Sequence, residues 1–140
     1  GAAFVACRAD GFVLVRTRPP TGLLGGMTEV PTTDWTPDFA ETSALDGAPR
    51  LPAGKSKRRI GLQRIAWRRL AGVVRHVFTH FPLELLVYVA ELPAGTPAPA
   101  GMRWVALTDI GGEALPSVMR KVLVHALERK QPVAKQGAAL

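Results

Sequence analysis

Gly22-Leu-Leu-Gly-Gly-Met-Thr-Glu-Val-Pro31 decides how this chain folds. Its three glycines make a permissive loop, because glycine reaches positive φ without a Cβ clash. The loop enters a short strand over 27–30, which Pro31 stops because proline has no amide to give to a β-ladder. A phosphate cradle is the weaker reading, since no Gly-Lys-Ser/Thr follows and no long helix begins there. Upstream, residues 2–9 and 12–18 are apolar and rich in β-branched side chains, with the turn signal Asp10-Gly11 between them. They predict a hairpin that ends at Pro19-Pro20.

Downstream, residues 37–46 predict a short helix, with Thr36 as N-cap and Pro37 at the first helical position. From Gly47 to Gly61 the composition shifts to Pro, Gly, Lys and Arg, an exposed connection. Residues 73–79 and 83–91 predict two strands joined tightly across His80-Phe81-Pro82. A Pro/Ala/Gly loop at 93–101 precedes a strand at 102–106. Leu115, Met119, Val122, Leu123, Ala126 and Leu127 recur at helical spacing and predict a helix from Pro116 to about Lys130. These elements describe an α+β domain, a mixed β-sheet with flanking helices, over residues 1–132, with 133–140 as a flexible tail.

With 140 residues, 47% hydrophobic and 21% charged, the chain suffices for one core. No apolar run approaches the roughly 18 residues of a membrane span, and no membrane partner is expected. Gly1-Ala-Ala-Phe-Val-Ala-Cys7 lacks a basic leader and reads as a strand, which suggests a domain taken from a longer chain. A single cysteine, Cys7, excludes an internal disulfide framework and reads as a small buried hydrophobe, in keeping with a reducing, cytoplasmic compartment. The net charge of +7 favours a polyanionic partner; nucleic acid, an anionic membrane surface and an acidic protein all qualify.

Asp34, Asp38, Asp46 and Glu84 are scattered without acid–base pairing, Glu29 suits a salt link better than catalysis, and His76, His80 and His125 lack metal-ligand spacing. Neither a catalytic residue nor a metal site is expected. Gly26, Glu41 and Gly47 nevertheless fall in register with a longer pattern: Gly, five residues, Glu, seven residues, then Arg-Glu-apolar-x-Glu-Glu-x-Gly-apolar. That pattern resembles the Nudix motif, whose carboxylates hold Mg²⁺ on a diphosphate. Here its other acidic positions carry Thr32, Ala44 and Leu45, and its arginine position carries Ala40. One carboxylate of four does not make a divalent-metal site.

A second resemblance covers nearly the whole chain. Arg18-Pro-Pro-Thr-Gly-Leu-Leu-Gly-Gly-Met-Thr-Glu-Val-Pro31, Trp35, Val77-Phe-Thr-His-Phe81 and Leu115-Pro-Ser-Val-Met-Arg-Lys-Val122 occur in the order found in C-terminal domains of MutY-type adenine DNA glycosylases. The resemblance implies a Nudix-like fold that reads 8-oxoguanine opposite adenine in double-stranded DNA. It implies that Phe78 shapes a recognition loop, that Thr79 stands where the family has serine, and that His80 is the family's histidine. It also implies a partner, the N-terminal glycosylase domain of the same protein, carrying the catalytic groups and a 4Fe-4S cluster; this chain alone would hold no cofactor and excise no base. A hydroxyl suits the task, because 8-oxoguanine differs from guanine by an N7 hydrogen and an O8 carbonyl. Phe78 equally suits a core position, since it shares a strand face with Val74 and His76.

Lys55, Lys57, Arg58, Arg59, Arg64, Arg68 and Arg69 are interleaved with Ile60, Leu62, Ile65 and Trp67. This segment is either a DNA-backbone contact or a solvated basic loop. Trp67 is expected to pack in the sheet, and Trp35 and Trp104 to anchor core or loops. Two further functions remain open: a divergent Nudix hydrolase of an oxidised nucleotide, and a protein-docking module.

Overall fold

The computed structural model describes residues 1–51 and 65–130, with side chains through Glu128. Its centre is a parallel pair, β1 (Ala2–Arg8) against β6 (Pro82–Leu92), in register from Ala2 opposite Leu86 to Arg8 opposite Leu92. Parallel strands covered on both faces need continuous rather than alternating apolar sequence. Ala-Ala-Phe-Val-Ala-Cys meets that need and is buried throughout.

β2 (Phe12–Thr17) folds back antiparallel to β1, and β7 (Met102–Ala106) pairs along the far side of β2. β3 (Thr28–Glu29) pairs with the end of β2, Arg16 opposite Glu29. β4 (Arg68–Arg69) and β5 (Val74–Val77) both run antiparallel to β6, and the register shifts between them across Ala71-Gly72. The mixed sheet matches expectation. The strand limits at 2–9, 12–18 and 27–30 contract by one or two residues each.

Alternation along β1 divides the core. Ala3, Val5 and Cys7 face α1 (Ser117–Lys130), which brings Val118, Met119, Val122, Leu123 and Ala126 onto the sheet. The Pro116 carbonyl accepts the first helical amides, those of Met119 at 2.9 Å and Arg120 at 3.1 Å. On the other face Ala2 and Phe4 meet Tyr88 and Ala44, while Ala6 and Leu14 meet Leu51 and Leu92.

The helix expected over 37–46 is a correction. The segment is a 3₁₀ helix, Glu41–Gly47, preceded by Ala40 without a side-chain cap, and Thr36 and Pro37 lie before it in a turn. Thr42, Ser43, Asp46 and Gly47 favour local hydrogen bonds over an α-helix, and the Ser43 hydroxyl donates to the Ala40 carbonyl at 3.2 Å. Residues 52–64 and the tail at 133–140 lie outside the described residues, as do five of the basic candidates, Lys55, Lys57, Arg58, Arg59 and Arg64.

Candidate nucleic-acid interface

Strand β5 stops at Val77 rather than at the expected Thr79. The Phe78 amide turns back to donate to the Phe81 carbonyl at 2.8 Å, which takes residues 78–81 out of the ladder. Pro82 then opens β6, a position where a missing amide costs no sheet hydrogen bond. The turn leaves Thr79 and His80 exposed at its tip, while Phe78 is half-buried. The Phe78 ring stacks on Trp35 at 6.0 Å between centroids, meets His76 edge-on at 4.7 Å and lies 5.0 Å from Phe81. Phe78 is thus packed at the margin of the core, as one of its two readings expected, and the Thr79 tip adjoins that packing.

The glycine-rich loop reaches the same cluster through Arg18. Its guanidinium lies 4.5 Å from the centre of the Trp35 ring, a cation–π contact, while Nε donates to the Leu23 carbonyl at 3.0 Å and Nη1 to Glu29 Oε1 at 2.7 Å. The other Glu29 oxygen accepts from Arg16 Nε at 2.8 Å. Glu29 is only 2% exposed, and two guanidinium groups compensate this buried carboxylate within the sheet. Within the loop the Gly26 amide donates to the Pro19 carbonyl at 3.0 Å, and Leu24 holds a left-handed φ of 56°. A Cβ on Gly25 would stand 2.6 Å from the Pro20 carbonyl oxygen, so only glycine lets the loop close there. The two stretches singled out in the sequence thus form one unit, running Glu29–Arg18–Trp35–Phe78.

Beyond the turn, Lys121 of α1 donates from Nζ to the Arg75 carbonyl and stands 3.1 Å from His76 Nδ1. Arg75 pairs with Glu84 at 2.7 Å. Arg68 and Arg69 are exposed on β4, and Arg69 is held by Glu41 at 3.0 Å. Trp67 packs edge-on against Phe4 at 5.3 Å, as expected for a sheet residue. Trp104 is covered by Arg8, whose guanidinium lies 5.0 Å from its ring.

Two of the three replaced Nudix acid positions are buried in the fold. Thr32 is buried, and its carbonyl accepts from Arg16 Nη2 at 3.2 Å; Ala44 is fully buried beside Phe4 and Tyr88; Leu45 is exposed. Glu41, the retained acid, is engaged with Arg69. Gly47 keeps a structural duty, because a Cβ there would press on Thr33 Cγ2 at 2.9 Å. Among the described residues no three His, Cys, Asp or Glu side chains gather as metal ligands.

The roles of Arg18 and Lys121 were not foreseen from sequence. Arg18 lay within the quoted loop, but its partners Trp35 and Phe78 are brought to it by the tertiary fold alone, and no local spacing encodes that meeting.

Comparison with known proteins agrees with this architecture. Human adenine DNA glycosylase is 31% identical over 130 residues, 90% of this chain, and the chain spans only 22% of that relative's length. The C-terminal domain of mouse MUTYH, solved in complex with human PCNA, superposes with a TM-score of 0.62 at 25% identity, over 96% of this chain and 94% of that one. The Nudix hydrolase RenU of M. smegmatis shares the fold at a TM-score of 0.54 and 20% identity, over 91% of this chain and 82% of its own. The NUDIX domain model matches residues 2–125, nearly the whole described structure, and the chain belongs to the NUDIX domain family.

Proposed function

We propose that this domain is the lesion-reading, DNA-binding module of an adenine DNA glycosylase that repairs adenine opposite 8-oxoguanine. The observation that carries the reading is the 78–81 turn: an aromatic cluster anchors Phe78, and the neighbouring Thr79 hydroxyl and His80 ring stand in solvent. The similarity to adenine DNA glycosylases over a minor part of their length supports it. A hydroxyl can accept from the N7–H that 8-oxoguanine gains, or donate to its O8. The chain's part is to bind and orient: contacts to the lesion offset some of the few kcal/mol needed to extrude the opposing adenine. Excision itself, and the 4Fe-4S cluster, belong in this proposal to a catalytic domain of the same protein, working on cytoplasmic DNA.

The test compares binding to duplexes carrying 8-oxoguanine:adenine or guanine:adenine. Thr79→Ala is expected to reduce the preference for the lesion about 2- to 10-fold, the worth of one hydroxyl hydrogen bond, while Thr79→Ser keeps it. Equal binding of both duplexes by the unaltered chain would overturn the reading. Hydrolysis of an oxidised nucleotide is disfavoured by the buried Ala44 and Thr32 at two acid positions, and Mg²⁺-dependent pyrophosphate release would restore that alternative. The complex of the mouse domain with PCNA favours protein docking as the second reading. DNA binding insensitive to Thr79→Ala, alongside a tight protein partner, would select it.

A further inference from the structure

Two concave surfaces meet at Val73, just before β5, and differ in the cations they offer. On one side a cleft of about 860 Å³ is walled by Trp35, Phe39 and Phe81, has no lysine or arginine in its lining, and carries Glu41 and Glu84, each already paired with an arginine. On the other a groove of about 430 Å³ between β5 and α1 is lined by Arg75, Arg120, Lys121 and His125, with Val74 and Val124 as its apolar floor. Arg120 and Lys121 are exposed in the second turn of α1, and the ammonium of Lys121 is seated by the Arg75 carbonyl at 3.1 Å. This anchoring fixes a cation whose long side chain would otherwise lose rotamer freedom on binding.

We infer that the β5–α1 groove is a phosphate-backbone site, and that duplex DNA leaves the reading turn along this side and not across the cleft, whose lining offers no lysine or arginine. The inference rests on the lesion-reading proposal and gives it a direction. Arg75 to Thr79 is four residues, at most about 13 Å of extended chain, so the groove begins within about four nucleotide steps of roughly 3.4 Å from the turn. A duplex read at Thr79 therefore has backbone phosphates within reach of Arg120 and Lys121. Such contacts set register and orientation, and carry no base information. The paired Arg75 serves as the wall of the groove, since Glu84 already compensates its charge.

The test measures DNA affinity of the 140-residue chain at several salt concentrations, with 8-oxoguanine:adenine and guanine:adenine duplexes. Variants are Arg120→Ala, Arg120→Ala/Lys121→Ala and, higher on the same sheet edge, Arg68→Ala. Arg120→Ala is expected to lower the slope of log K against log[salt] by about one, and the double variant by about two, with both duplexes weakened by the same factor and the lesion preference kept. Arg120→Ala breaks no contact within the fold described above, so it decides the matter even where the double variant unfolds. An unchanged slope in Arg120→Ala, or an equal drop in Arg68→Ala, overturns the groove assignment while leaving the lesion reading in place. Loss of lesion preference without a change of slope overturns it too, and absence of DNA binding by the unaltered chain overturns both.

Discussion

Arg18 makes three contacts that depend on a planar, forked cation: the Leu23 carbonyl, the Glu29 carboxylate and the face of Trp35. Lysine keeps the charge but offers a compact ammonium that cannot stack and donate in two directions at once. Arg18→Lys is expected to cost about 1–3 kcal/mol, seen as a lower urea midpoint with an unchanged slope. It is also expected to erode lesion preference with little change in binding to guanine:adenine duplex, because Trp35 positions Phe78 and Phe78 shapes the turn. A stable Arg18→Lys protein with full lesion preference would show that the loop and the turn act separately. At this scale the sequence was half legible. Phe78, Thr79 and His80 stood out by resemblance, and the exposure of Thr79 and His80 follows from a proline-backed turn. Glu29 read as the edge of a salt link, yet its near-complete burial between two arginines depends on β2 and β3 pairing, which no single residue announces.

The 3₁₀ helix Glu41–Gly47 occupies the stretch where a Nudix enzyme gathers carboxylates on one helical face, and here it covers the sheet instead. Ala44 is fully buried against Phe4 and Tyr88. Restoring the acid at this position tests what the element is for. Ala44→Glu would drive a carboxylate into the apolar cluster of Ala2, Phe4 and Tyr88, so it is expected to destabilise the protein by several kcal/mol, or to shift the segment outward. Thermal or urea unfolding measures the loss, and the variant gains no Mg²⁺-dependent pyrophosphate release. A variant as stable as the original would mean that residue 44 faces solvent. Strands and α1 were legible because apolar period and turn chemistry agreed along them. The 3₁₀ segment was not, because Thr36-Pro37 mimics a helix start while Thr42, Ser43 and Gly47 withhold the propensity to continue. The end of β5 was missed for a related reason: Val77-Phe-Thr reads as strand until the Phe78 amide finds the Phe81 carbonyl.

Over the whole molecule the cation excess gives acid a double effect. The chain carries 18 Lys and Arg against 11 Asp and Glu, so protonating carboxylates adds repulsion as well as breaking pairs. Asp10, Glu29, Glu41, Glu84 and Glu113 all stand in ion pairs. Glu113 ties distant parts together: Arg103 of β7 reaches both its oxygens, at 2.5 and 3.1 Å, and the Thr28 hydroxyl of β3 donates to it at 2.9 Å. These hydrogen bonds, the one from Arg103 foremost, hold its carboxyl below the ordinary value of 4.5 against the opposing effect of desolvation. A carboxyl whose value is lower in the folded chain contributes stability that is full above 4.5 and is lost as pH falls through the folded-state value. Glu113→Gln removes that contribution at every pH. The variant is therefore expected to be less stable than the original by about 1 kcal/mol at pH 7, and the two are expected to converge as pH drops below 4.5. Urea midpoints followed from pH 7 to pH 3 give the difference directly. A gap that stays constant across that range would assign the effect of the substitution to packing rather than to the carboxylate charge, and would leave the sheet edge at β3 and β7 held without it.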